Sequence, residues 1–228
     1  MKKVIGFSLW GDNPTYNIGA IKNTELALTM YPDFECWFYI HKETVPNDTI
    51  IELQKFSNVK IIFKYGDLKT NKPMMWRFEP IDHEDVEILL SRDTDTRILL
   101  REKLAVDEWL NTDTLFHIMR DHPDHIHLIL GGMFGTRKNS LIPSWKESIE
   151  TYYQNGHYGY DQDFLKDIIY PVVKDNCTIH ASFNFFESNC RPFHINYDNE
   201  LKFIGEVIYF DESRNQGHHN RMRQVLGR

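Results

Sequence analysis

Val86–Arg101 reads VEILLSRDTDTRILLR, and the reading of this stretch decides the fold. Its apolar run, Val86, Ile88, Leu89 and Leu90, predicts a buried strand of a parallel sheet. The run stops at Ser91-Arg92-Asp93-Thr94-Asp95-Thr96-Arg97. Two carboxylates one residue apart, in a loop just past a strand, can converge on one hard divalent cation. Open α/β sheets bind ligands just outside the carboxyl ends of their strands, where this loop sits. Arg92 and Arg97 flank the acids, a mixture that suits a metal-bridged phosphate. The spacing fits equally well a polar turn whose Asp95 or Thr96 caps the next helix.

Before this stretch the chain alternates. Val4–Leu9, Phe34–Ile40 and Val59–Tyr65 read as strands, and Tyr16–Tyr31 and Asp48–Phe56 as helices. The first helix is anchored at Ile18, Ile21, Leu26 and Leu28, and Asn47 or Asp48 caps the second. A βαβαβ run of this kind predicts a mostly parallel central sheet flanked by helices, an α/β fold. The turn-rich loop Trp10-Gly11-Asp12-Asn13-Pro14 follows the first strand, a natural nucleotide position. Neither a phosphate-loop nor a dinucleotide glycine pattern is present. Trp76-Arg77-Phe78 falls in a short helix expected to end before Pro80, with Arg77 free to hold a phosphate or to pair with a buried acid.

After it, Arg101–Asn111 reads as a helix with Leu104, Ala105, Trp109 and Leu110 on its apolar face. The segment Phe116–His125 carries possible metal ligands at no zinc-signature spacing. His127–Leu130 reads as a strand leading to Gly131-Gly132, where a ligand could approach the backbone closely or the chain could simply bend. Ser144–Gln154 reads as a helix, Tyr152–Tyr160 as an aromatic loop, and Asp161–Ile169 as a helix stopped by Pro171. Asp161 at its start could be a plain cap. Cys177–Phe186 and Phe203–Tyr209 read as strands. The tail 213–228 is basic, either a loose end or a flap for an anionic ligand.

With 228 residues, 41% of them hydrophobic, the chain suffices for one α/β domain. Fifteen Phe, eleven Tyr and five Trp allow ring-lined pockets for flat or sugar-like ligands. A net charge of −7 argues against a general nucleic-acid binder. Cys36, Cys177 and Cys190 are odd in number and read as reduced thiols of a cytoplasmic protein. The start is too short in apolar residues for a signal peptide, and no transmembrane stretch occurs.

In chain order, FSLWGDNP, Trp76-Arg77-Phe78, SRDTDTR, HIMRDHP, LGGMFG and YGYDQDFL resemble the GT-A-fold glycosyltransferases. They are most similar to the small glycosyltransferase domains of large algal DNA viruses and bacterial relatives. The resemblance implies one GT-A domain with a nucleotide-binding half near 1–97, an acceptor half near 98–212 and the basic tail. It implies transfer of a sugar from a nucleoside diphosphate sugar, most often a UDP-sugar, to a glycan or glycoconjugate hydroxyl, with retention favoured. Asp93 and Asp95, as a DXD motif, are implied to hold Mn²⁺ or Mg²⁺ against the diphosphate; the basic character of the tail suggests that it orders over the same diphosphate, with His218 or His219 as an extra metal ligand. Ser8, Leu9, Trp10, Gly11, Arg77, Arg92, Gly131 and Gly132 are implied to contact the nucleotide sugar. Asp161 and Gln162 are implied to face the reacting sugar and acceptor. A metal-dependent phosphohydrolase would want more clustered carboxylates. A non-catalytic sugar-binding module would not need the acid pair.

Overall fold

A computed structural model describes residues 1–66, 68, 72–152, 159–183 and 186–228. Its seven strands are β1 (Lys2–Leu9), β2 (Phe34–His41), β3 (Val59–Lys64), β4 (Val86–Ser91), β5 (Phe116–Arg120), β6 (Phe134–Arg137) and β7 (Cys177–Ala181). They form one sheet in the order β3-β2-β1-β4-β6-β5-β7. β1 pairs in parallel with both β2 and β4. Only β6 runs antiparallel, between β4 and β5.

The strands' alternation divides the core in two. On one face Ile5, Phe7, Phe38 and Leu90 pack under three helices, α1 (Pro14–Met30), α2 (Asn47–Leu53) and α3 (Leu100–Leu110). On the other, Val4, Tyr39, Leu89, Phe116 and Phe134 pack against a 3₁₀ segment (Lys72–Asp82), α4 (Trp145–Thr151) and α5 (Tyr160–Phe164). Residues i and i+1 of a strand serve opposite faces, so Val4 and Ile5 belong to different cores.

α1 departs from its expected face. Leu28 is exposed, and the buried stripe is small and polar: Asn17, Gly19, Ala20, Asn23, Thr24 and Ala27. Small residues let the helix lie close on the loop that follows β4. Its start is pinned by Asn13, whose side chain accepts from the Thr15 amide, with Pro14 at the first helical position. At α2 the cap is Pro46, without a side-chain bond, so neither Asn47 nor Asp48 caps it. The 3₁₀ segment runs through Pro80 instead of ending before it; a 3₁₀ turn tolerates the lost amide because its bonds are fewer and local.

The second half departs further. His127–Leu130 is not a strand; the strands lie at β5 and β6, and Gly131-Gly132 form the turn entering β6. Pro171 does not stop its helix. The chain loosens into a π-turn over Leu165–Ile169 and continues as α6 (Tyr170–Val173). The stretch Phe203–Tyr209 forms no strand, only one bridge from Ile208 to Arg214. Leu201, Gly205 and Glu212 take positive φ and break any extended run. The tail forms α7 (Gln216–Leu226), capped by Asn215 and anchored by the buried Met222 against Leu201 and Phe203. The loop expected over Tyr152–Tyr160 and the helix end at Gln154 fall largely on 153–158, outside the described residues. The strand expected over Cys177–Phe186 ends at Ala181 and gives way to bends at Ser182, Phe183 and Phe186, with 184–185 outside the described residues. Among the described residues no helix is long and apolar enough to cross a membrane.

Candidate active site

Above the carboxyl ends of β1 and β4 lies a cleft of about 480 Å³. Ser8, Leu9, Trp10, Gly11, Arg77, Asp93, Asp95, Gly131, Gly132, Asp161 and Gln162 all line it, although they come from five separate stretches of chain. The placement follows from the topology, because strand ends and the loops beyond them gather on one edge of the sheet.

The acid loop is held from behind. Asn23 of α1 donates to the carbonyl of Thr96 at 2.8 Å and accepts from the Ile98 amide at 3.1 Å. Thr96 Oγ1 closes a turn on the Asp93 carbonyl. The Ile208 amide bonds the Asp95 carbonyl at 2.8 Å, tying the C-terminal segment to the same loop. The capping alternative fails: α3 is preceded by Leu99 and has no side-chain cap, so Asp95 and Thr96 are left to the cleft.

Arg77 is the hub. The 3₁₀ segment crosses β1, and the Arg77 amide donates to Ser8 Oγ at 3.0 Å. From there the buried guanidinium reaches Asp93 Oδ1 with Nη1 and Asp161 Oδ2 with Nη2, the latter at 2.7 Å. Asp161 is not a helix cap; Gly159 precedes the helix, and the Asp161 carboxylate is buried. Its Oδ1 and the neighbouring Gln162 Oε1 have no hydrogen-bond partner among the described residues. Burial raises the Asp161 pKa, opposed by the Arg77 charge. Asp95 is pushed up to about 7, first by burial and then by the Asp93 carboxylate beside it.

Gly131 and Gly132 fit by lacking side chains. A Cβ on Gly131 would overlap Asp161 Oδ2 and Arg77 Nη2, and one on Gly132 would overlap Asp93 Oδ2. The turn is fixed by Ser91 Oγ, which donates to the Gly131 carbonyl at 2.6 Å. Thus these glycines admit the acids' close approach instead of merely bending the chain.

Two candidates fall elsewhere. Arg92 is buried beneath the sheet edge, with Nε on Glu102 at 2.7 Å and Nη1 on the carbonyls of Ser91 and Phe134. It does not line the cleft, because Glu102 of α3 offers it a buried partner. His218 is not brought to Asp93 and Asp95: its ring lies 5.2 Å from that of His122, whose Nε2 donates to the His218 carbonyl. His125 was not singled out but lines the cleft, its Nδ1 accepting from the Asp121 amide. The crowding of histidine and aspartate in DHPDH was the signal available for it. Met74, Met133 and Val207, which give no chemical signal in sequence, line it as well.

The donor set fits a hard cation. Asp93 and Asp95 lie in the same loop of the cleft, and after burial the Asp93 charge is the next cause that raises the Asp95 pKa, a repulsion that a divalent ion would relieve.

No protein-family model matches the chain, and no curated protein matches it in sequence. Solved structures match it. A glycosyltransferase involved in glycosylation of the major capsid of PBCV-1 has a TM-score of 0.52 at 13% identity, covering 79% of this chain and 82% of that one. Glucosyl-3-phosphoglycerate synthase from Mycobacterium tuberculosis, in complex with Mn²⁺, UDP-glucose and phosphoglyceric acid, gives 0.50 at 12%, covering 79% and 69%. The 4-diphosphocytidyl-2C-methyl-D-erythritol synthase of Anaerococcus prevotii gives 0.50 at 10%, covering 79% and 87%. At such identities the likeness is one of architecture, and it establishes the GT-A α/β fold expected for this chain.

Proposed function

We propose that the protein is a glycosyltransferase that moves a sugar from a nucleoside diphosphate sugar, a UDP-sugar in the first instance, to a glycan hydroxyl. The reading rests on one observation: a buried carboxylate, Asp161, with one oxygen unpartnered among the described residues, shares a cleft with Asp93 and Asp95 and an arginine with Asp93. The mycobacterial neighbour, which holds Mn²⁺ and UDP-glucose, supports the donor class and the metal.

Asp93 and Asp95 would hold Mn²⁺ or Mg²⁺, which supplies charge neutralisation to the departing diphosphate. Leu9, Trp10 and Gly11, at the end of β1, form the wall for the nucleoside. Arg77 already spans the Asp93 and Asp161 carboxylates, so it fixes the distance between the diphosphate and sugar ends of the cleft. The sugar–phosphate bond breaks through an oxocarbenium-like state, as in glycoside hydrolysis. Asp161 Oδ1 and Gln162 Oε1, which have no partner among the described residues, would accept hydrogen bonds from hydroxyls of the donor sugar and so orient it. With Asp161 held by Arg77, we assign it to positioning and electrostatic support, and the acceptor proton to the leaving phosphate, which corresponds to retention at the anomeric carbon. The acceptor approaches over Gly131-Gly132 and the 98–212 half. The free thiols agree with a cytoplasmic setting.

The test is calorimetry with UDP and MnCl₂ beside a turnover assay with UDP-sugars. The intact chain should bind UDP only with Mn²⁺ present, and Asp95→Asn should abolish that binding without unfolding the protein. Binding of UDP that is indifferent both to Mn²⁺ and to Asp95→Asn would overturn the assignment.

A further inference from the structure

Away from the cleft, at the far edge of the sheet, three chemically suited side chains meet. Glu108 comes from α3, His180 from β7 and His194 from the segment beyond it, and one ligand atom of each lies within 4.8 Å of the others. The backbone enforces the meeting. After β7 the chain leaves and returns, and Arg191 pairs with the strand again through Ala181 N to Arg191 O at 3.1 Å and Arg191 N to Ile179 O at 2.7 Å. That return carries His194 back over His180.

We propose that Glu108, His180 and His194 form a zinc-type transition-metal site, separate from the Asp93–Asp95 pair. His180 Nε2 lies 3.0 Å and His194 Nε2 2.7 Å from the same oxygen, Glu108 Oε2. Tetrahedral ligands about 2.0–2.1 Å from Zn²⁺ stand roughly 3.3 Å apart, so each histidine nitrogen needs to draw back from Glu108 Oε2 by only a few tenths of an ångström. The set is two imidazoles and one carboxylate, which favours Zn²⁺ over the all-oxygen preferences of Mg²⁺ and Mn²⁺. His180 is fully buried, and its other nitrogen, Nδ1, lies 2.9 Å from His117 Nε2. In the structure as it stands Nε2–H donates to the Glu108 carboxylate and Nδ1 accepts from His117 Nε2. A metal would take the place of the Nε2 proton, and His180 would then donate Nδ1–H to His117 Nε2, the tautomer that a metal requires. His194 is half exposed, so an ion can enter and a fourth position stays open to solvent.

One group opposes the ion. Arg191 Nη1 sits 2.5 Å from Glu108 Oε1, competing for the carboxylate. It takes the other oxygen, and its side chain is 43% exposed, so it can move aside. The site's reach is mechanical. It would staple the 191–197 segment to α3, whose Arg101 already bonds the Ile195 carbonyl and Asp121. Asp121 in turn holds the Ile204 amide, one residue before the cleft-lining Gly205.

The experiment is calorimetric titration of the full chain, dialysed against chelator and carrying Asp93→Asn and Asp95→Asn, with ZnCl₂ and separately with MnCl₂. One Zn²⁺ should bind and Mn²⁺ should not. His194→Ala, at an exposed position that threatens no core packing, should weaken zinc on the order of a hundredfold or more, while Arg191→Ala should leave it unchanged or tighten it. Cobalt in the otherwise unaltered chain gives a second readout: the visible band of four-coordinate Co²⁺ should appear and vanish with His194→Ala. Absence of zinc binding, unchanged affinity in His194→Ala, or loss of binding in Arg191→Ala would overturn the site.

Discussion

Two buried arginine–aspartate pairs, Arg101–Asp121 and Arg77–Asp161, are built to opposite ends. Asp121 has every bond it can use: Arg101 Nε and Nη2, Ser182 Oγ, the Tyr197 hydroxyl and the Ile204 amide converge on its two oxygens. Asp161 has Arg77 on one oxygen and no partner among the described residues on the other. Both acids are buried to about the same degree, at 0% and 1% exposure. Burial alone therefore does not separate structure from function here; completeness of the hydrogen bonding does. A saturated carboxylate fastens chain segments together, whereas an unsaturated one in a cleft has bonding capacity left for a ligand.

The largest effect should come from breaking the saturated pair. Asp121→Ala leaves Arg101 buried without its carboxylate and strips bonds from Ser182, Tyr197 and Ile204. It should cost roughly 3–5 kcal/mol of stability, read as a fall in the urea midpoint at unchanged m-value. A loss under about 1 kcal/mol would erase the contrast with Asp161.

Asp161→Asn should do the reverse. It removes a buried charge while Arg77 keeps Asp93, so the urea midpoint should hold or rise slightly. UDP binding with Mn²⁺ should survive, because it belongs to Asp93, Asp95 and the end of β1. Turnover should drop by roughly tenfold to a hundredfold if the acid only positions the sugar, and by more if it moves a proton. An unfolded protein would place Asp161 with Asp121, as structure.

The Asp95 shift gives a pH dependence with a definite sign. Its pKa in the fold, about 7, lies above the ordinary carboxylate value, so the folded chain holds a proton there that the unfolded chain has released. In metal-free protein this group's contribution to stability therefore declines as pH rises from roughly 4 to 7 and is level above that. Cation binding needs the proton gone, so Mn²⁺ affinity should be steady above pH 7 and fall by up to about tenfold per unit below it. Calorimetry across pH 5.5 to 8 checks this; a flat profile would mean Asp95 is not a ligand.

The smallest effect should lie on the outer surface of α7. Arg221 faces Asp124 at 3.6 Å with both side chains about half exposed. Arg221→Ala should change stability by less than about 0.5 kcal/mol and leave donor KM unaltered. A clear rise in KM would restore a ligand role to the tail's outward arginines.

Some of this was legible before any coordinates. β1 to β4 stand out because each is an apolar run ending in a polar turn, with both faces covered at β1, β2 and β4. Asp93 and Asp95 follow from that, since a strand end fixes where its loop goes. β5 was hidden because FHIMR carries His117 and Arg120, which are fully buried and face His180 and Glu187. The run Leu128-Ile129-Leu130, which is more strand-like in composition, instead accompanies an irregular turn. Arg92 was misplaced for the same kind of reason: its partner, Glu102, comes from the following helix, and no spacing rule reveals which arginine a buried glutamate will claim. The α7 helix was masked by its charge, since Met222, Leu226 and His218 turn toward the protein while its arginines are exposed.

The antiparallel placement of β6 has a consequence for dissecting the protein. β4 has β1 on one side and β6 on the other, and the β6 side spans Ile88 to Ser91. A fragment ending at Arg97 would keep the acid pair and the nucleotide wall but leave that edge bare. Ile88, Leu89 and Leu90 would then offer unpaired amides and carbonyls flanked by apolar side chains, a template on which a second fragment can add its own strand. Expressed alone, the first ninety-seven residues should self-associate through β4, and the antiparallel strand serves as the guard that keeps the intact chain from doing so.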